Sequence, residues 1–155
     1  MTTPELICRL LVATVCGALV GINRDLHNKS AGIRTLSMVS VGAATVALTI
    51  AELGADAEAA SRVVQGVVTG VGFLGAGLIL HPASSHRVLG LTTAAAVWAT
   101  AALGLASGLG HYRLVAAAAA LILVILVIGG PIEKFVERLA PKRSVLDEGP
   151  DGPAP

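Results

Sequence analysis

The chain has 155 residues, 54% of them hydrophobic and only 14% charged, with a formal net charge of +1. A soluble domain carries about 25% charged residues, so this deficit and the long apolar runs exclude an ordinary water-soluble globule and indicate an integral membrane protein. The net charge carries no information about nucleic acid, and no nucleic-acid partner is expected.

The N-terminal MTTPEL lacks the basic segment of a signal peptide, and its first charge is Glu5. The first apolar run, about Leu6 to Ile22, is therefore expected to be retained as a span. Arg9 lies in its first turns, four residues after Glu5, the favourable order for a helical ion pair. Two readings of Arg9 stand side by side: an interfacial anchor that snorkels, or a polar group facing a cavity in the bundle. Gly17 and Gly21 form a G-x-x-x-G suited to close helix contact. Cys8 and Cys16 lie on the same helix, with Cα atoms roughly 12 Å apart, beyond the limit of about 7 Å for a disulfide. Both are expected as small buried thiols.

A polar loop, Asn23 to Thr35, follows with Arg24, Lys29 and Arg34 against the lone Asp25. The second span is expected from about Leu36 to Leu53, rich in small and weakly polar residues. Asp56 and Glu58 occupy the next loop, and Arg62 begins the next helix.

The third span, about Val63 to Leu80, contains GVVTGVGFLGAGLIL with Gly66, Gly70, Gly72, Gly75 and Gly77. Each interior glycine costs about 1 kcal/mol relative to alanine in a water-exposed helix. In lipid the backbone must stay bonded to itself, and missing side chains let a neighbour approach. This is read as the central, tightly packed span. Gly70, Gly72 and Gly75 also spell G-x-G-x-x-G, but that fingerprint needs a strand before it and an acidic residue about 20 positions on. No Asp or Glu occurs between Glu58 and Glu133, so packing is the reading taken. His81 and Pro82 end the span, and a loop with His86 and Arg87 follows.

The fourth span, about Gly90 to Leu109, opens with Thr92 and Thr93, whose hydroxyls can bond their own helix or a neighbour. Trp98 near its middle is expected to fill space left by alanines and glycines, and Gly104 and Gly108 give another small-residue face. The fifth span, about Leu114 to Gly130, is nearly pure Ala, Leu, Val and Ile and is expected at the lipid-facing edge. Residues 131–155 are read as a tail: a short amphipathic helix from Pro131, then a compositionally disordered DEGPDGPAP. The fold class is thus all-α and polytopic, with about five transmembrane helices in residues 1–130.

With the N-terminus outside, the cytoplasmic segments hold Arg24, Lys29, Arg34, Arg87, Lys134, Arg138, Lys142 and Arg143, against Arg9, Arg62 and Arg113 on the other side. This satisfies the positive-inside rule and puts the C-terminus in the cytoplasm. No catalytic constellation, metal-ligand cluster or cofactor motif is evident, and the chain is read as not an enzyme. A site for a cation such as Mg²⁺ needs oxygen ligands, usually carboxylates. The carboxylates here lie toward the membrane faces.

Three motifs carry a resemblance: AGIRT at Ala31–Thr35, GVGFLGAG at Gly70–Gly77, and GLTTAA at Gly90–Ala95 with Trp98 following. In this order and spacing they resemble the MgtC/SapB (YhiD-like) family of bacterial membrane proteins over about Leu6 to Leu126. The family's arginines correspond to Arg9, Arg24, Arg34 and Arg62. Asn23-Arg24 departs from the family's Glu-Arg, Gln65 is displaced from its expected place, and the short tail stands where many members carry a soluble domain. The resemblance implies a bacterial inner-membrane protein linked to magnesium limitation, acid stress and, in pathogens, survival in macrophages. Members have been labelled Mg²⁺ transport proteins; the competing view is regulation through other membrane proteins such as the ATP synthase. Functional candidates are Arg9, Arg24, Arg34, Arg62, Thr92 and Thr93. Gly66, Gly70, Gly72, Gly75, Gly77 and Trp98 are expected in packing. The expected partners are the lipid bilayer, with a homodimer and a membrane-protein partner both open. Regulation by small-residue faces is favoured; the alternative is a small transporter or channel with its path near the third and fourth spans and Arg9.

Overall fold

The computed structural model describes residues 1–79 and 88–139. The third span's end at His81–Pro82, the loop with His86 and Arg87, and the tail beyond Leu139 lie outside the described residues. Among the described residues the chain forms five helices: α1 (Thr3–Leu26), α2 (Ile33–Glu52), α3 (Ala57–Gly77), α4 (Leu91–Gly108) and α5 (Tyr112–Leu139). Each is long and apolar enough to cross a membrane. The protein is all-helical and polytopic.

Local chemistry explains the ends. Pro4 sits in the first turn of α1, where its missing N–H is no loss. The Asp56 carboxylate caps α3 by accepting from the Ala59 N–H at 2.7 Å. Several hydroxyls inside the spans return to their own helix: Thr14 donates to Leu10 O, Thr45 to Val41 O and Thr49 to Thr45 O. The helices overrun the apolar runs, because hydrogen bonding continues through polar residues until a turn residue stops it. Arg24 therefore lies in the last turn of α1, and Arg34 in the first turn of α2, not in a loop.

The centre of the bundle is α2 and α4, not the glycine-rich α3. Both glycine pairs that meet a neighbour meet α2. A Cβ on Gly17 would lie 2.6 Å from Leu36 O, and one on Gly21 would lie 2.7 Å from the Ile33 N. From the other side, a Cβ on Gly104 would lie 2.8 Å from the Ser40 carbonyl carbon, and one on Gly108 would lie 2.8 Å from the Ala47 Cβ. Gly17 and Gly21 bring α1 within backbone contact of the start of α2, at Ile33, Leu36 and Ser37, while Gly104 and Gly108 bring α4 against the small-residue face of Ser40, Ala44 and Ala47, all three buried.

α3 is peripheral. It packs on α4 through a stripe that includes Val64, Val67, Val71 and Gly75, where a Cβ on Gly75 would lie 3.5 Å from the Ala94 Cβ. Among the described residues, Gly66, Gly70, Gly72 and Gly77 have nothing within 4 Å of a would-be Cβ and do not act as packing residues. Phe73, among them, is 81% exposed. The valines at three- and four-residue spacing supply the adhesive face, and the glycines fall on the remaining sides of the helix. Trp98 likewise does not fill the core. It is 49% exposed and lines an outward apolar groove of about 280 Å³ with Val64, Val67, Val71, Ala101 and Leu105. Of the two cysteines, Cys16 is buried and Cys8 exposed.

α5 lies at the edge, as its uniform apolar composition suggests. It continues through Pro131 to Leu139 instead of ending at Gly130. A proline inside a helix removes one hydrogen bond and leaves those on either side.

Candidate functional site

The polar chemistry of the bundle gathers at its two ends and along one line between them. At one end, the Arg24 side chain turns into the protein and is 2% exposed. The segment after α1 curls back beneath it, with Asn28 at φ 51° and Ala31 at φ 59°; two residues in the left-handed region reverse the chain in a few steps. The turn aims carbonyls at the guanidinium. Arg24 Nη2 donates to Ser30 O at 2.9 Å, and Nε is shared between Ser30 O at 3.2 Å and Ala31 O at 3.3 Å. Nη2 also donates to Thr93 Oγ1 on α4, with Ser30 Oγ 3.4 Å from the same hydroxyl. Arg24 thus ties α1, the loop and the start of α4 together.

Among the described residues no carboxylate pairs with Arg24. The adjacent Asp25 is used otherwise: its Oδ2 accepts from the Ile33 N–H at 2.9 Å, at the start of α2. α4 begins at Gly90 with φ 91°, where a Cβ would run into the Leu78 carbonyl, and no side chain caps its N-terminus. Arg24, Thr92 and Thr93 line a cavity of about 570 Å³ that α5 walls on the far side.

At the other end, Arg9 bonds Glu5 Oε1 through Nη2 at 2.5 Å and donates from Nη1 to Gly108 O at 2.8 Å. It binds α1 to the C-terminal carbonyls of α4, where a cation also complements the helix dipole. Its Nε is buried without a partner among the described residues. Arg9→Ala is expected to lower stability by ~1.5–3 kcal/mol, the worth of one charge-assisted hydrogen bond. A thermal midpoint in detergent unchanged from wild type would show the contact to be idle.

Between the arginines, α4 places Thr93, Thr100 and Ser107 seven residues apart on its buried face, with Ser40 of α2. Ser107 donates to Leu103 O at 2.7 Å, while the Thr100 and Ser40 hydroxyls have no partner among the described residues. From Thr93 to Gly108 this seam runs roughly 22 Å along the helix.

Of the residues singled out from the sequence, Arg24, Thr92 and Thr93 come together and Arg9 stands at the opposite end. Arg34 is exposed. Arg62 is also exposed and bonds Glu58 at 2.5 Å. The sequence marks Ser30, Ala31 and Gly32 as a turn and Ser40 as weakly polar packing, but not the contact of Ser30 with Arg24. Thr100 and Ser107 were missed, although their seven-residue spacing from Thr93 on α4 was a visible signal. Among the described residues no three of His, Cys, Asp and Glu converge as a metal site.

Five membrane-length helices, three of them (α1, α2 and α4) closed on each other by glycine contacts and α1 tied to α4 at both ends by arginine, define a small polytopic membrane protein. The MgtC family profile matches residues 10–135. The chain belongs to the MgtC family. It is 45% identical over 117 residues to SrpB of Synechococcus elongatus, covering 68% of this chain and 64% of SrpB. It is 38% identical over 122 residues to YhiD of Escherichia coli, provisionally named a magnesium transporter, covering 72% of this chain and 54% of YhiD. Protein MgtC of Salmonella typhimurium is 38% identical over 117 residues, covering 76% of this chain and 49% of MgtC. The chain therefore spans between about half and two-thirds of the length of these relatives. No solved structure matches it significantly.

Proposed function

We propose that this protein acts in the bacterial inner membrane, in magnesium homeostasis and low-magnesium or acid stress, by regulating or binding another membrane protein and not by carrying ions. The observation behind this reading is the closure of α1, α2 and α4 at backbone distance, with Arg24 buried at one end and Arg9 half-buried at the other. A divalent cation following the buried seam would meet Arg24 at one mouth and Arg9 at the other, and like charges in a low-dielectric site repel strongly. The N-terminus lies outside and the C-terminus in the cytoplasm in this reading, which the distribution of Lys and Arg supports. The bilayer is the primary partner. The exposed side of α3, with Gly66, Gly70, Phe73 and Gly77, leaves room for a partner helix, whether from a second copy or from another protein.

The test is Mg²⁺ entry into proteoliposomes containing inserted protein, an internal indicator dye and an imposed membrane potential. No protein-dependent entry is expected, and a membrane protein should co-purify under low magnesium. Saturable entry that disappears in folded Arg9→Ala would instead establish the transporter reading suggested by the name of YhiD.

A further inference from the structure

The cavity at the Arg24 end has an electrostatic imbalance that the regulatory reading does not use. An arginine stays protonated in proteins, and a buried charge needs compensation. Three carbonyl and hydroxyl contacts supply dipoles to Arg24, but among the described residues no carboxylate supplies a charge. Its Nη1 donates to no described residue, although Arg24 lines the cavity. The start of α4 reaches the same wall. It has no side-chain cap and no acidic residue in its first turn, so its free N–H groups and positive dipole end favour an anion. Thr92 and Lys29 add a hydroxyl and an ammonium to the lining. Glu133 is the acidic group on this wall among the described residues, contributed by α5, so an anion belongs on the Arg24 side.

The size and mixed walls narrow the ligand. About 570 Å³ is far more than a simple carboxylate fills and falls in the range of small-ligand sites. A tetrahedral phosphate offers several acceptor oxygens to a guanidinium, backbone N–H groups and hydroxyls at once. Ile125, Leu126, Val88 and Leu89 provide an apolar surface beside it. We infer that this cavity binds the phosphate group of a phosphate ester, held by Arg24 Nη1 and the start of α4, with Lys29 as a second cation. A phospholipid headgroup and a soluble phosphate ester share this chemistry. The inference does not depend on whether the protein regulates or transports.

The full chain in dodecyl maltoside micelles, which carry no phosphate, separates the sources. Its thermal midpoint is followed while inorganic phosphate or glycerol 3-phosphate is titrated from solution, and again while phosphatidylglycerol is titrated into the micelles. A saturable rise is expected in at least one arm: with soluble phosphates if the source is free, only with phosphatidylglycerol if it is a headgroup. Lys29→Gln and Thr92→Val, both on the rim, should raise the half-saturating concentration about ten-fold, as loss of a charge-assisted contact would. Arg62→Gln, exposed on α3, should match wild type. No rise in either arm overturns the inference. So does a rise that both rim variants retain in full, or one that Arg62→Gln loses equally, since that would be general attraction to surface charge.

Discussion

Gly104→Leu is expected to abolish accumulation of folded protein, while Gly72→Leu leaves it near the wild-type level. A Cβ alone at Gly104 would lie 2.8 Å from the Ser40 carbonyl carbon and 2.9 Å from its Cα. Those atoms belong to the backbone of the buried helix α2 and cannot swing aside. Forcing extra groups into a packed site costs about 1–3 kcal/mol even where neighbours adjust, and here four carbons must enter a helix crossing that has no room for one. The crossing also positions α4, so its loss would displace both arginine contacts. At Gly72 no described residue lies within 4 Å of an added Cβ, and leucine is the better helix former by about 0.8–1.0 kcal/mol. Yield and size-exclusion profile in mild detergent read the contrast. A collapsed Gly72→Leu beside a normal Gly104→Leu would mean that α3, not α4, is the helix packed at backbone distance.

Arg24→Met is expected to be the most damaging single substitution at the polar ends. It keeps the length and apolar stem but removes donors to Ser30 O, Ala31 O and Thr93. Buried carbonyls left without donors cost about 1–3 kcal/mol each, so a loss of several kcal/mol follows, offset in part by no longer burying a charge. Arg24→Lys should recover only a fraction, because an ammonium cannot serve the two carbonyls and the hydroxyl with a planar fork. Proteolysis between residues 27 and 32 reports the local effect: faster cleavage in Arg24→Met, intermediate in Arg24→Lys. Equal cleavage in all three would show that the turn holds without the guanidinium.

Much of the molecule is legible in the sequence. Runs of about 20 apolar residues meet the bilayer requirement directly, so number, order and approximate limits of the helices follow from composition alone. The ion pair of Glu5 and Arg9 was readable because residues four apart on a helix are neighbours. The family follows from three motifs in register. The ends of α1 and α2 were less legible, since hydropathy marks where lipid begins and helical hydrogen bonding does not stop there.

Only the tertiary structure decided which glycines matter. Gly17, Gly21, Gly104 and Gly108 look no different in sequence from Gly66, Gly70, Gly72 and Gly77. A missing side chain permits close approach but does not cause it. The cause lies on the partner: α2 turns Ile33, Leu36 and Ser37 toward α1, and the row Ser40, Ala44 and Ala47 toward α4. The same holds for Arg24. Its charge is evident from the sequence, but its burial against Thr93, 69 residues away, depends on α1 and α4 meeting side by side. Local spacing sets what each helix is; which faces meet is a property of pairs distant in sequence, and it emerges only when the whole bundle closes.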